Sequence, residues 1–152
     1  MPQAEFAAQL AARPFGLATI LELAELFGAS IEATAIRTMK QTSLPAAVVF
    51  CHYALKPSEA KMKTAGDRPV PRLRVRRAYR SPSFQGFIPP HSSIPKDSPF
   101  HEALGGADIV RGTGVIRFGT GGYFSRTMNY ETLALEPLEK GTGEKIVMAL
   151  LR

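Results

Sequence analysis

Nine cationic side chains crowd residues 56–80: Lys56, Lys61, Lys63, Arg68, Arg72, Arg74, Arg76, Arg77 and Arg80. Only Glu59 and Asp67 oppose them, a local charge of +7, so this stretch accounts for the whole chain's excess of +6. Ammonium and guanidinium groups at that density attract phosphates and carboxylates. Arg72, Arg74 and Arg76 alternate with Leu73 and Val75, and alternate side chains of a strand share a face. The spacing predicts a row of three arginines. Such a row suits an acidic partner, a DNA backbone or an anionic small ligand, and equally a solvated edge strand guarded by charge.

Other chemistry finds less support. Cys51 and His52 are neighbours, and on a strand they point to opposite faces, so they cannot readily chelate one ion. His91, Asp97 and His101 could meet only through loop folding, and no metal site is expected. A nucleophilic enzyme needs a serine or cysteine, a base and an orienting acid together. The chain has these residue types but no G-x-S-x-G elbow, and Cys51 in an apolar run reads as a buried small residue. No catalytic residue is assigned. Gly112-Thr113-Gly114 leads into a strand pattern rather than a helix, so it lacks the dipole that phosphate loops use. It reads as a bulge or turn.

The elements that must position these groups follow from periodicity. Residues 5–12 are rich in helix formers, with Phe6 and Leu10 one turn apart, and Pro14 and Gly16 stop them. Ile20, Leu23, Ala24 and Phe27 recur as a buried helical stripe. Gly28 can supply the positive φ that ends this helix, and Ser30 can cap the next, with Glu32 in its first turn. That third helix runs to about Lys40. Helix, short turn and helix form a helix-turn-helix arrangement. On a helical wheel Ile31, Ala35, Ile36 and Met39 lie on one arc, while Ala33, Thr34, Arg37, Thr38 and Lys40 lie opposite. A DNA reader would use Thr34, Arg37 and Lys40 from that second arc. Residues 1–41 carry a net charge of −1, however, which offers little phosphate attraction.

Beyond Pro45 the period changes. Residues 46–55 read as a strand, 56–71 as a polar loop, and 73–80 as a strand with one apolar and one basic side. Residues 81–97 hold four prolines and read as a long ordered loop. Ser98 and Pro99 open a short helix. Three more strands are expected at about 108–118, 123–135 and 145–151, with Gly119-Thr120-Gly121-Gly122 as a hairpin between the first two. The fold class is α+β, a helical unit (1–43) followed by a domain (44–152) around a mostly antiparallel sheet. A single cysteine points to a reducing cytoplasmic setting. No apolar run reaches the roughly 18 residues of a membrane span, and no membrane association is expected.

Several segments resemble a known family. Met1-Pro2, Phe6-Ala7-Ala8-Gln9-Leu10, then residues 23–34 (LAELFGASIEAT) and Arg37 are similar to the region downstream of the zinc site in ImmA/IrrE metallopeptidases. That region reads roughly L-A-x-x-F-x-V-S-x-x-A-x-x-R, and Ala29 stands here for its usual valine. Leu73-Arg74-Val75-Arg76, Asp97-Ser98-Pro99 and Lys145 to Leu150 are similar in order and spacing to the GAF-like C-terminal domain of the IrrE branch. The resemblance implies a helix-turn-helix unit and a GAF-like sensor domain in stress-responsive transcriptional control. It implies a peptidase domain or a repressor protein as partner, with DNA and a small-molecule ligand as further candidates. The family's zinc needs two histidines one turn apart, H-E-x-x-H. The nearest approach, His101-Glu102-Ala103-Leu104-Gly105, has glycine at the second position. Zinc would therefore belong to a peptidase domain upstream, and this chain is expected to be its non-catalytic regulatory half. The alternatives are a direct DNA-binding regulator, or a fragment of a full zinc metallopeptidase.

Overall fold

The computed structural model describes residues 2–61, 68–106, 108–121, 124–136 and 145–152. Three helices come first: α1 (Gln3–Ala11), α2 (Leu17–Leu26) and α3 (Ile31–Gln41). Gly28 has φ 57° and ends α2. Ser30 caps α3, its Oγ accepting from the Ala33 N–H at 3.1 Å. Both roles follow from side-chain chemistry, glycine for its missing Cβ and serine for its oxygen.

Five antiparallel strands follow: β1 (Ala47–Ala54), β2 (Arg72–Arg80), β3 (Val110–Phe118), β4 (Phe124–Leu135) and β5 (Ile146–Leu151), in spatial order β2-β1-β5-β4-β3. The molecule is thus α+β. A one-turn helix, α4 (Pro57–Ala60), interrupts the stretch expected to be loop, and another, α5 (Pro99–Glu102), begins at Ser98 as its cap. Residues 62–67 of that stretch, and Gly122 in the expected hairpin, lie outside the described residues.

The sheet is covered on both faces. Val48, Phe50, Met148 and Leu150 pack against Leu17 and Ile20 of α2 and Ala35 and Met39 of α3. On the opposite face, Val49, Leu73, Val147 and Ala149 pack against Phe84, Ile88, Ile94 and Phe100 from the long 81–106 connection. Double coverage explains why β5, in the middle, is a continuous apolar run rather than an alternating one. It also means that α2 and α3 bury apolar residues on the sheet.

A carboxylate fastens that junction. Glu131 of β4 is buried, and its Oε2 accepts the Leu17 backbone N–H at 2.7 Å. Gly16, at the N-cap of α2, has no side chain to do this, so Glu131 satisfies a free donor of the helix's first turn from another element. A Cβ on Gly16 would sit 3.1 Å from both Glu131 oxygens. Arg152 pairs with the same carboxylate at 3.3 Å and Arg111 at 3.7 Å.

Two local expectations need correction. Gly112-Thr113-Gly114 is neither bulge nor turn, but regular ladder within β3, opposite Tyr130, Asn129 and Met128. Glycine at 112 makes room for the Tyr130 ring, whose oxygen would lie 2.4 Å from an added Cβ. The exposed arc of α3 is also rotated. Thr34 and Thr38 are buried beside Ala35 and Met39, whereas Ile31 and Ile36 are only half-buried. The threonine hydroxyls donate back to the Ser30 and Thr34 carbonyls, at 3.0 and 2.9 Å. With their polar atoms satisfied inside the helix, both can be buried as small β-branched groups.

Candidate functional site

The six basic or polar residues singled out from the sequence fall into two groups. Thr34, Arg37 and Lys40 lie on α3, and Arg72, Arg74 and Arg76 on β2. Neither group is presented as its spacing predicts.

On α3, Thr34 is turned inward and is not presented to a partner. Arg37 is half-buried and Lys40 exposed. Three residues apart, they share one side of the helix, beside a shallow groove that Gln3 of α1 also lines. The first turn of α3 is tied down. Glu32 accepts hydrogen bonds from Arg77 at 3.1 Å and from the Tyr79 hydroxyl at 2.5 Å, so both anchors come from β2. Burial, and then the hydrogen bond to Glu32, push the Tyr79 hydroxyl above the ordinary tyrosine pKa.

On β2, the expected row of three arginines is broken by a β-bulge. Val75 pairs with Cys51 and Arg77 with Phe50, leaving Arg76 as an extra residue without a register partner. A bulge shifts the alternation by one residue. Arg72 and Arg76 are exposed, but Arg74 is only 6% exposed. Its guanidinium is a structural fork. Nε donates to the Ala54 carbonyl at 3.2 Å, Nη1 to the His91 carbonyl at 3.1 Å, and Nη2 to Glu59 of α4 at 3.2 Å. One side chain thus joins the end of β1, the 89–93 segment and α4.

That segment also covers part of the outer edge of β2. The His91 and Ile94 N–H groups donate to Val75 and Leu73, and the Val75 N–H donates to Ser92, at 2.8–2.9 Å. His91 has φ 64°, the only non-glycine positive φ among the described residues. A left-handed backbone at a non-glycine residue persists only where its surroundings hold it, and here the Arg74 fork and the β2 ladder do so. Between these parts lies a cavity of about 370 Å³. Lys56, Glu59, Arg72, Arg74, His91 and Ser93 line it from one side, and Phe118 to Gly121 from the other.

The remaining candidates stay apart. Cys51 is fully buried, and burial raises its thiol pKa, which makes it a poor nucleophile. His101 lies 3.5 Å from the Ile94 carbonyl at the end of α5, and Gly105, where a second histidine would have to stand, offers no ligand. These residues do not fit a zinc site of the H-E-x-x-H kind. Among the described residues no three His, Cys, Asp or Glu side chains gather where they could hold a metal. No helix among them is long and apolar enough to cross a membrane.

Glu59 and Glu131 were not singled out from the sequence, and His91 was weighed there only as a metal ligand. Lys56-Pro57-Ser58-Glu59 does carry a helix-start signal, proline in the first turn with glutamate following. Nothing in the sequence marks His91 as left-handed or Glu131 as a distant cap. No family model and no curated protein matches the chain.

Proposed function

We propose that this chain is the non-catalytic regulatory half of an ImmA/IrrE-type metallopeptidase system in stress-responsive transcriptional control, acting in the cytoplasm. In this reading residues 1–43 are its helix-turn-helix unit and 44–152 its GAF-like sensor domain. The peptidase domain or its repressor substrate is the partner. The residues resembling that family, from Leu23 to Arg37 and from Leu73 to Leu150, support the assignment. So does the α+β architecture, with helices packed on an antiparallel sheet.

The observation that carries the regulatory role is the seating of α3. Its first turn is bound to β2 through Glu32, and Thr34, Ala35, Thr38 and Met39 face inward. A recognition helix needs a protruding polar face to enter a major groove. Here the outward side supplies only Arg37 and Lys40 as cations, in a unit of net negative charge. The helix acts as a connector between the sheet and a docking partner.

The test is a cleavage assay with an ImmA/IrrE-type peptidase domain that contains its H-E-x-x-H helix. The chain alone, given zinc, leaves the repressor intact. Joined to the peptidase domain, it changes the cleavage rate. Chelator-sensitive cleavage by the chain alone would refute the proposal. So would a cleavage rate indifferent to its presence.

A second reading, direct DNA binding, draws on one geometric fact. Lys40 and Arg80 line the same groove between α3 and β2, with Ile36 and Tyr79. The cations at that end of the sheet thus extend the basic side of α3. Strong sequence-specific binding of operator DNA by the isolated chain would favour it.

A further inference from the structure

We propose that the cavity at the start of β2 binds a small organic phosphate, with Lys56 and Arg72 contacting the phosphoryl oxygens and Arg74 holding the walls in place. The proposal deepens the sensor role above and rests on it for that role alone. Binding is read directly on the chain, so either idea can fail without the other.

Charge gives the first argument. Lys56, Arg72 and Arg74 face one carboxylate, Glu59, which Arg74 already engages at 3.2 Å. Among the described residues neither Lys56 nor Arg72 has an ion-pair partner, so the wall carries an uncompensated charge of +2. A phosphate monoester brings a charge of about −1.5 to −2 at neutral pH, which matches that excess; a carboxylate brings half of it.

Shape gives the second. Four separate segments converge on the cavity: α4, the start of β2, residues 89–93, and the end of β3 with the glycine turn after it. Its volume of about 370 Å³ lies within the range of small-molecule sites. The Ser93 and Thr120 hydroxyls supply polar contacts, and the Pro89 and Pro90 rings an apolar surface for the ligand's organic part. A DNA backbone would be met by convex, solvated cations such as Arg76. Here the cations stand inside a concavity.

Pre-organisation gives the third. Arg74 uses three of its five N–H donors on Ala54, His91 and Glu59, and so fixes the loop carrying His91 in its left-handed conformation. Backbone held in a rarely populated region marks places where the surroundings enforce a geometry, and such places cluster at ligand clamps. Arg74 is therefore a positioning residue, and Lys56 and Arg72 are the contacting ones.

The experiment titrates the full chain with ribose 5-phosphate, inorganic phosphate and acetate at matched ionic strength, followed by amide NMR shifts and calorimetry. Saturable one-to-one binding of the two phosphates is expected, with shifts confined to the residues around the cavity and none for acetate. Arg72→Ala and Lys56→Ala should each weaken binding about tenfold or more. Arg76→Ala, which removes the same charge from the same strand outside the cavity, should leave it within twofold. Because Lys56 and Arg72 are exposed, unchanged far-UV dichroism separates lost binding from lost fold, and Arg72→Lys should restore part of the affinity. Equal losses for Arg72→Ala and Arg76→Ala would overturn the proposal, since the attraction would then be diffuse. Acetate binding as tight as phosphate, or no saturable phosphate binding at tens of millimolar, would overturn it too. So would duplex DNA that binds through Arg72 more tightly than either phosphate does and is indifferent to Arg76→Ala.

Discussion

The basic residues of α3 and those of β2 are of the same chemical kind but are held in different ways. Arg37 and Lys40 project from a helix whose position is set by apolar packing, Ala35 and Met39 against the sheet, and among the described residues they organise nothing around them. Arg74 is itself buried and gathers three chain segments by polar bonds. The residues beside it, Arg72 and Lys56, gain a defined setting from that gathering. Helix cations can be exchanged with little structural consequence, whereas the β2 cations belong to a site. The two clusters are also far apart. Lys40 meets β2 at Arg80, while the cavity lies at Arg72, roughly 25 Å away at about 3.3 Å per residue of strand.

The largest expected effect tests whether apolar packing holds the helices. Phe6 is fully buried and its ring lies 5.5 Å from that of Phe27. Phe6→Ala should cost about 3–5 kcal/mol in urea unfolding. Phe27→Ala, at a half-buried position, should cost less. The reverse order would mean that α1 is not seated as described.

Next comes the polar counterpart. Arg74→Ala strands the two carbonyls it served and leaves the Glu59 carboxylate with only the Lys56 N–H as partner. Breaking a largely buried pair of this kind costs about 3 kcal/mol. Arg74→Lys should recover only part of the loss, because an ammonium cannot reproduce the fork. Full recovery by lysine would reduce Arg74 to a simple charge.

A smaller effect is expected where the two kinds of holding meet. Glu131→Ala leaves the Leu17 N–H without its acceptor and should destabilise the chain by about 2 kcal/mol. Hydrogen exchange should show α2 opening first. A loss spread evenly over the molecule would argue that Glu131 does not serve α2 in particular.

The gentlest probe is the tie between α3 and β2. The Tyr79 pKa is raised in the folded state, so its contribution to stability is fully present below the unfolded value near pH 10 and is lost as pH rises through the folded value. Ultraviolet titration should show the Tyr79 transition above the ordinary tyrosine value. Glu32→Gln should bring that transition down, though not to the ordinary value, since burial is the larger cause. A Tyr79 transition unmoved by Glu32→Gln would break the tie.

These contrasts also explain what the sequence could reveal. Local signals were legible: Gly28 for a left-handed turn, Ser30 and Ser98 for caps, and the apolar run of β5 for a strand covered on both sides. Element order and the antiparallel sheet follow from such signals. The Arg72-Arg74-Arg76 row misled because alternation assumes an unbroken ladder, and the bulge at Arg76 depends on β1, more than twenty residues earlier. Thr34 and Thr38 misled because a hydroxyl that bonds its own helix behaves as an apolar group. Glu131 capping a helix over a hundred residues away leaves no local trace, and neither does an arginine held by the carbonyls of Ala54 and His91.

The central claim is that α3 connects rather than reads. Fluorescence anisotropy with labelled duplex DNA, comparing a candidate operator with a scrambled duplex across a salt series, tests it most directly. The account predicts weak, salt-sensitive binding without sequence preference. It should be little changed by Arg37→Ala with Lys40→Ala, and reduced by Arg72→Ala with Arg76→Ala. Operator-specific binding at physiological salt that disappears in the α3 double variant and survives in the β2 double variant would contradict it.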